Sequence, residues 1–342
     1  MSITVLFLVG VVVAVAVLIN SAKKPKTASG SDATKTAKSD NATNKPSDTS
    51  AANEVVSVCV ARRPGPHTRT VAFWQSEVAG CEKIPAGVTH VVFGFALVDA
   101  ATGRIVPTFQ NTDAEIQSCV KTLRANCIAS LGSIGGATNN KAMANITDPS
   151  AFAKSAVELV TKFGFDGVDI DDETAGPAFN ATRAVAVVEA TRAALTAKDK
   201  SLLLTYDAYF YEGDQSWCAD PVHKDYARCF PTALLPSLDW INIMAYNVAE
   251  VNATAVPIYE KALNTTFAAW KLVLNGDFTK ATIGICVDGS CDFGPGPSTA
   301  VIARWNAFAR VVGTGGGMMV YAASSEIAND FSVTRSVLPR TS

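Results

Sequence analysis

Five carboxylates fall within eight residues of the run Phe165-Asp166-Gly167-Val168-Asp169-Ile170-Asp171-Asp172-Glu173. The interleaved Val168 and Ile170 give it the alternation of a β-strand. Strand side chains alternate between faces, so Asp169, Asp171 and Glu173 project to one side, with successive Cα atoms about 6.6 Å apart. Neighbouring carboxylates resist simultaneous ionisation. At least one member then keeps its proton near neutral pH, as a general acid must. The same residues admit two other readings. A solvated acidic loop is one, against which the apolar flanks speak. A Mg²⁺ or Ca²⁺ site is the other, although the spacing is not that of a calcium loop and no His lies nearby.

Such a ladder needs neighbouring strands to position it. From residue 69 the chain alternates short β-type runs with helical patterns, the order of an α/β parallel barrel. The expected strands are 70–75, 89–97, 127–133, 165–173, 201–207, 239–246, 281–287 and 316–322. Amphipathic or Ala-rich segments near 113–125, 149–163, 182–197, 254–273 and 298–311 read as helices, with Gly164 and Gly276 at helix ends. A TIM (β/α)8 barrel carries its functional groups at the C-terminal ends of the strands. Glu173 closes the fourth expected strand there and Tyr246 the sixth, the latter on one face with Trp240, Asn242 and Met244.

Asp166, Gly167, Asp169, Asp171 and Glu173 fill every fixed position of the pattern Asp-Gly-x-Asp-x-Asp-x-Glu. Ser133-Ile134-Gly135-Gly136 precedes them as Ser-x-Gly-Gly, and Met244-Ala245-Tyr246-Asn247 follows as Met-x-Tyr-Asp/Asn. In these blocks the chain resembles glycoside hydrolase family 18, the chitinases and their relatives, over residues 69–340. The resemblance implies retaining hydrolysis in which the substrate's own N-acetyl oxygen is the nucleophile. By match, Glu173 would protonate the glycosidic oxygen, and Asp171 would hydrogen-bond the acetamido N–H. Asp169 would share a proton with Asp171, and Tyr246 would hold the acetamido oxygen. No metal or cofactor is implied; the expected partner is an N-acetylglucosamine-containing polysaccharide or glycan.

The remaining site candidates are read beside that resemblance. Ser133 and its glycines let the third strand pass close to the ladder, where Ser133 can bond Asp169 or simply pack. Trp74, Tyr206, Tyr209, Trp217 and Tyr321 can stack on pyranose faces at the barrel mouth or serve as packing. Asp207 and Asn247, at expected strand ends, can bond sugar hydroxyls or cap loops. Two departures bear on substrate. Tyr321 stands where many chitinases place a Trp. Asp172, before the acid, is similar to the form in family 18 endo-β-N-acetylglucosaminidases, which cut N-glycan chitobiose cores. A catalytically dead glycan-binding lectin is the further alternative, although all three acids stand.

The 342 residues are 48% apolar with a net charge of −2, enough for a large core. With no basic block interleaved with aromatics in the folded part, nucleic acid is not an expected partner. Residues 1–19 read as a signal peptide or membrane anchor through the apolar stretch 3–19, and 20–57 as a low-complexity linker. The catalytic barrel is assigned to 58–342. Sequons begin at Asn41, Asn145, Asn180, Asn252 and Asn264, and the eight cysteines are even in number. Both suit the secretory pathway, with the barrel lumenal or extracellular. Eight cysteines allow 105 pairings; the sequential one, 59 with 81, 119 with 127, 218 with 229 and 286 with 291, is the expectation. The short span from Val287 to Ser298 leaves no room for an inserted domain, and so favours an open groove.

Overall fold

The computed structural model describes residues 65–223, 227–287, 291 and 294–339. The apolar segment 3–19, the linker 20–57, Asn41 and Cys59 lie outside them. Among the described residues no helix is long and apolar enough to cross a membrane.

Alternation in the described strands resolves into one closed wall. In chain order these are β1 (Thr70–Gln75), β2 (His90–Val98), β3 (Ile105–Val106), β4 (Ala129–Gly135), β5 (Gly167–Asp171), β6 (Leu203–Tyr209), β7 (Trp240–Met244), β8 (Ala281–Cys286) and β9 (Met318–Tyr321). Eight are parallel, and β1 pairs with both β2 and β9, which closes the barrel. The short β3 adds antiparallel to β2 and was not expected. Two strands sit two residues late: β4 runs on into Gly135, and β6 keeps Asp207 within the wall rather than at its rim. The ladder strand is shorter than expected, so Glu173 lies two residues beyond its end.

The helices are α1 (Asp113–Ala125), α2 (Asn140–Ala144), α3 (Pro149–Phe163), α4 (Ala181–Lys198), α5 (Gln215–Cys218), α6 (Asn252–Lys261), α7 (Thr266–Val273), α8 (Thr299–Ala309) and α9 (Ser332–Ser336). Local chemistry sets their ends. Thr112 and Glu115 form a reciprocal capping box on α1, Asp148 caps α3 ahead of Pro149, and Gly164 ends α3 at φ 74°. The expected helix 254–273 is broken into α6 and α7 by a 3-10 turn at Ala262–Asn264.

Strand periodicity sorts the core into two layers. Outward residues such as Ala72, Val168, Leu204 and Ile243 pack under the helices. Inward residues such as Val71, Phe73, Leu131, Trp240 and Met319 fill the barrel. Burial of these side chains is the main stabilising term.

Disulfides Cys218–Cys229 and Cys286–Cys291 form as expected. The other half of the expected pairing is corrected, because Cys81 bonds Cys119. The loop after β1, which carries Cys81, packs against α1, which carries Cys119, so spatial neighbours override sequence order. Cys127 is also disulfide-bonded.

Candidate active site

Strand register assembles a polar belt inside the barrel from residues far apart in sequence. Ser133 lies beside Asp169, and Asp169 beside Thr205; Asp207 lies beside Asn242, and Asn242 beside Thr282. Ser133 Oγ donates to Asp169 Oδ2 at 2.7 Å, and Thr205 Oγ1 to Oδ1 at 2.5 Å. Asn242 Nδ2 reaches Asp207 Oδ1 at 2.8 Å and Asp169 Oδ1 at 3.4 Å. Its Oδ1 accepts from Trp240 Nε1 at 2.9 Å and Thr282 Oγ1 at 2.7 Å. The belt is buried and hydrogen-bonded throughout, so it is rigid.

The rest of the ladder stands above this belt. Gly135 and Gly136 let β4 approach Asp171. At φ 116°, a Cβ on Gly135 would lie 2.2 Å from the Asp171 carbonyl oxygen, which instead accepts from Gly136 N at 3.0 Å. The Asp171 side chain is buried, and its Oδ1 has no hydrogen-bond partner among the described residues. Half-buried Glu173 follows, with Tyr209 Oη donating to its carbonyl at 3.0 Å and lying 3.4 Å from Oε2. Tyr246 is buried, and its ring stacks on that of half-buried Tyr321 at 5.9 Å.

Burial dominates the electrostatics. It pushes Asp169 up, against the charge-favouring hydrogen bonds from Thr205, Ser133, Asp207 and Asn242. Burial, then the Glu173 and Asp169 charges, push Asp171 well above the carboxylate range, opposed by Arg228. Burial, then Asp169 and Asp171, do the same to Asp207. The Asp169–Asp207 hydrogen bond favours the proton on Asp207 and the charge on Asp169. Tyr246 is pushed well up, by burial and then by Asp207 and Asp171, which keeps it a neutral hydroxyl donor. The charges of these acids act on one another, so they titrate together rather than as independent sites.

Several expected positions are corrected. Trp74 and Tyr206 face the helical layer, at 1% and 0% exposure, because alternation in β1 and β6 turns them from the barrel. Trp74 Nε1 bonds the Val78 carbonyl, and Tyr206 packs on Phe230. Neither ring is open to a sugar. Asp207 belongs to the belt, not the rim. Trp217 lies between the rings of Tyr211 and His223, at 3.8 and 3.7 Å, so both its faces are covered. Asn247 is half-buried just past Tyr246, with φ 56°. Asp166 is structural, accepting from Ser130 N and Arg124 below the ladder. Asp172 is turned away from the ladder toward Arg183 at 2.9 Å. A cavity of about 370 Å³ lies on the barrel flank, lined by Trp74, Cys81, Glu115 and Cys119, away from these acids.

A closed parallel barrel with acids converging at its C-terminal rim defines a (β/α)8 protein with an acid–base site. Residues 69–286 match the model of glycosyl hydrolases family 18, and the chain belongs to that family. It is 27% identical over 170 residues to a class V chitinase of Arabidopsis thaliana, covering 46% of this chain and 42% of that one. It is 33% identical over 152 residues to endochitinase 1 of Metarhizium anisopliae, covering 41% and 34% respectively. The chain thus spans less than half the length of these curated relatives. Among solved structures, a class V chitinase from Nicotiana tobaccum superposes with a TM-score of 0.61 at 17% identity, over 78% of this chain and 97% of that one. A chitinase from Cycas revoluta, in complex with allosamidin, gives 0.63 at 19%, over 78% and 98%. At these identities the likeness is one of fold.

Proposed function

We propose that the protein hydrolyses β-1,4-linked N-acetylglucosamine chains, chitin or its oligomers, with retention and with Glu173 as general acid. The observation that carries this reading is the buried Asp171 carboxyl, whose Oδ1 has no hydrogen-bond partner among the described residues while it lies beside the acid, the belt and Tyr246. A buried acceptor left unpaired is costly, and an acetamido N–H satisfies it. The substrate's acetamido carbonyl then attacks the anomeric carbon as Glu173 gives its proton to the departing glycosidic oxygen. Tyr246 donates to the acetamido oxygen as it turns into the ring oxygen of an oxazolinium-like intermediate. Water, deprotonated by Glu173, opens that intermediate from the vacated face, which regenerates the acid and retains configuration. The belt supports Asp171 from below.

The names of the relatives, and the solution of the Cycas revoluta chitinase in complex with (GlcNAc)3, support a glycan of this class as partner. Asp172, whose place before the acid is similar to the endo-β-N-acetylglucosaminidase form, pairs with Arg183, and the two substrate readings are separated by their products. Sequons and disulfides support a place in the secretory pathway, with segment 3–19 as leader or anchor. Product analysis on chitin oligomers beside a high-mannose N-glycopeptide tests the reading. Chitin oligomers are expected to be cut to β-anomeric products. Cleavage of the glycopeptide alone would favour the chitobiose-core enzyme, and binding without cleavage a lectin.

A further inference from the structure

Glu173 lies outside any regular element, so the sheet does not fix it. Its supports converge on one guanidinium. Arg228 is 3% exposed. It donates from Nε at 2.9 Å and Nη2 at 2.7 Å to Glu212 Oε1, and from Nη1 at 2.9 Å to the carbonyl of Thr174, the residue after the acid. One ring on which it packs is Phe179, at 4.5 Å; the other is Tyr209, at 4.6 Å, whose hydroxyl bonds Glu173. On the other side of the acid, Asp172 accepts from Thr174 N at 3.0 Å and from Thr174 Oγ1, and is held by Arg183. Glu212 is anchored in turn, accepting from Tyr209 N at 2.8 Å. Cys229, the neighbour of Arg228, is tied to Cys218.

We propose that Arg228, buttressed by Glu212 and by the adjacent disulfide, is a positioning residue for the general acid. It fixes the 172–174 turn through the Thr174 carbonyl, and the Tyr209 ring through its flat face. The inference rests on the reading of Glu173 as the acid. A buried guanidinium–carboxylate pair gains little stability, because desolvation of both charges offsets most of their attraction. Geometry is what it supplies: a rigid fork sets two bonds and a carbonyl contact at once, which Lys does not reproduce. Arg228 also carries positive charge toward Asp171, which Glu173, Asp169, Asp172, Asp207, Tyr209 and Tyr246 otherwise surround with acidic or phenolic groups.

The test compares Arg228→Met, Arg228→Lys and Tyr209→Phe on a chitooligosaccharide. Arg124→Met serves as control, breaking the ion pair to Asp166 before the same strand. Arg228→Met is expected to lose about 10²-fold in kcat with KM little changed, the cost of a misplaced acid. Its pH–rate profile moves to higher pH, because a cation beside Asp171 is gone. Arg228→Lys also loses kcat but keeps the profile where it was, since charge remains and the fork does not. Tyr209→Phe shows the kcat loss without a fall in melting temperature, and carries the test if Arg228→Met does not fold. Wild-type kcat in either Arg228→Met or Tyr209→Phe, or equal losses in Arg124→Met and Arg228→Met, would overturn the proposal. A wild type without turnover would overturn the functional reading alone. The proposal is then read from the Glu173 carboxyl resonance by ¹³C NMR, which Arg228→Met moves and Arg124→Met leaves in place; an unmoved resonance in Arg228→Met overturns it.

Discussion

In the proposed mechanism Asp171 concentrates the chemistry and its cost in one side chain. Burial, reinforced by Glu173 and Asp169, raises its carboxyl well above the ordinary range. Between the unfolded value of about 3.9 and that raised value the native state binds more protons than the unfolded chain. Its contribution to stability is therefore complete below the unfolded value and is lost as pH rises through the folded one. Asp171→Asn is expected to melt higher than wild type at about pH 8 and to converge with it near about pH 4, while losing turnover. A variant melting below wild type across that range in thermal scans would contradict the raised carboxyl. Tyr246→Phe removes one neutral donor from the developing charge and is expected to lower kcat by about 10²-fold, checked by steady-state kinetics. The positions of Asp169, Asp171 and Ser133 were legible in sequence because strand period and register align them, whereas Glu173 lies two residues past the strand end. Trp74 and Tyr206 were misplaced for the same reason in reverse: their parity, once Phe73 and Asp207 are seen to face inward, sends them outward. Counting parity along β6 would have found this.

At the scale of elements, the belt was the part hidden from sequence. Thr205 and Asp207 lie on β6, Asn242 on β7 and Thr282 on β8, and they meet only through register and closure. Strand edges were blurred where polarity misleads, since Asp207 reads as a loop residue yet sits in the wall. Cysteine pairing was legible only where the partners are close in sequence. Cys218–Cys229, with a separation of 11 residues, should contribute about 3 kcal/mol. Replacing both cysteines by Ser is expected to lower unfolding free energy by that amount in denaturant titration, and to lower kcat because Cys229 adjoins Arg228.

The whole molecule was the most legible scale, because eight β-type runs separated by helical patterns admit few closed arrangements. The described sequons, Asn145, Asn180, Asn252 and Asn264, all lie on exposed residues. Asn180 caps α4 through Oδ1, accepting from Arg183 N, so its Nδ2 is not used in the cap. Expression in a secretory host should give a mass shift on enzymatic deglycosylation, with kcat/KM unchanged. A gain in activity would instead put a glycan across the groove.

The proposed mechanism turns on Glu173 as the proton donor in this barrel. Turnover of a chromogenic N-acetyl-chitooligosaccharide by Glu173→Gln, with wild type measured alongside, tests it most directly. Wild type is expected to hydrolyse it, and the variant to lose about 10²–10⁴-fold in kcat with its fold intact. Undiminished turnover by Glu173→Gln would contradict it.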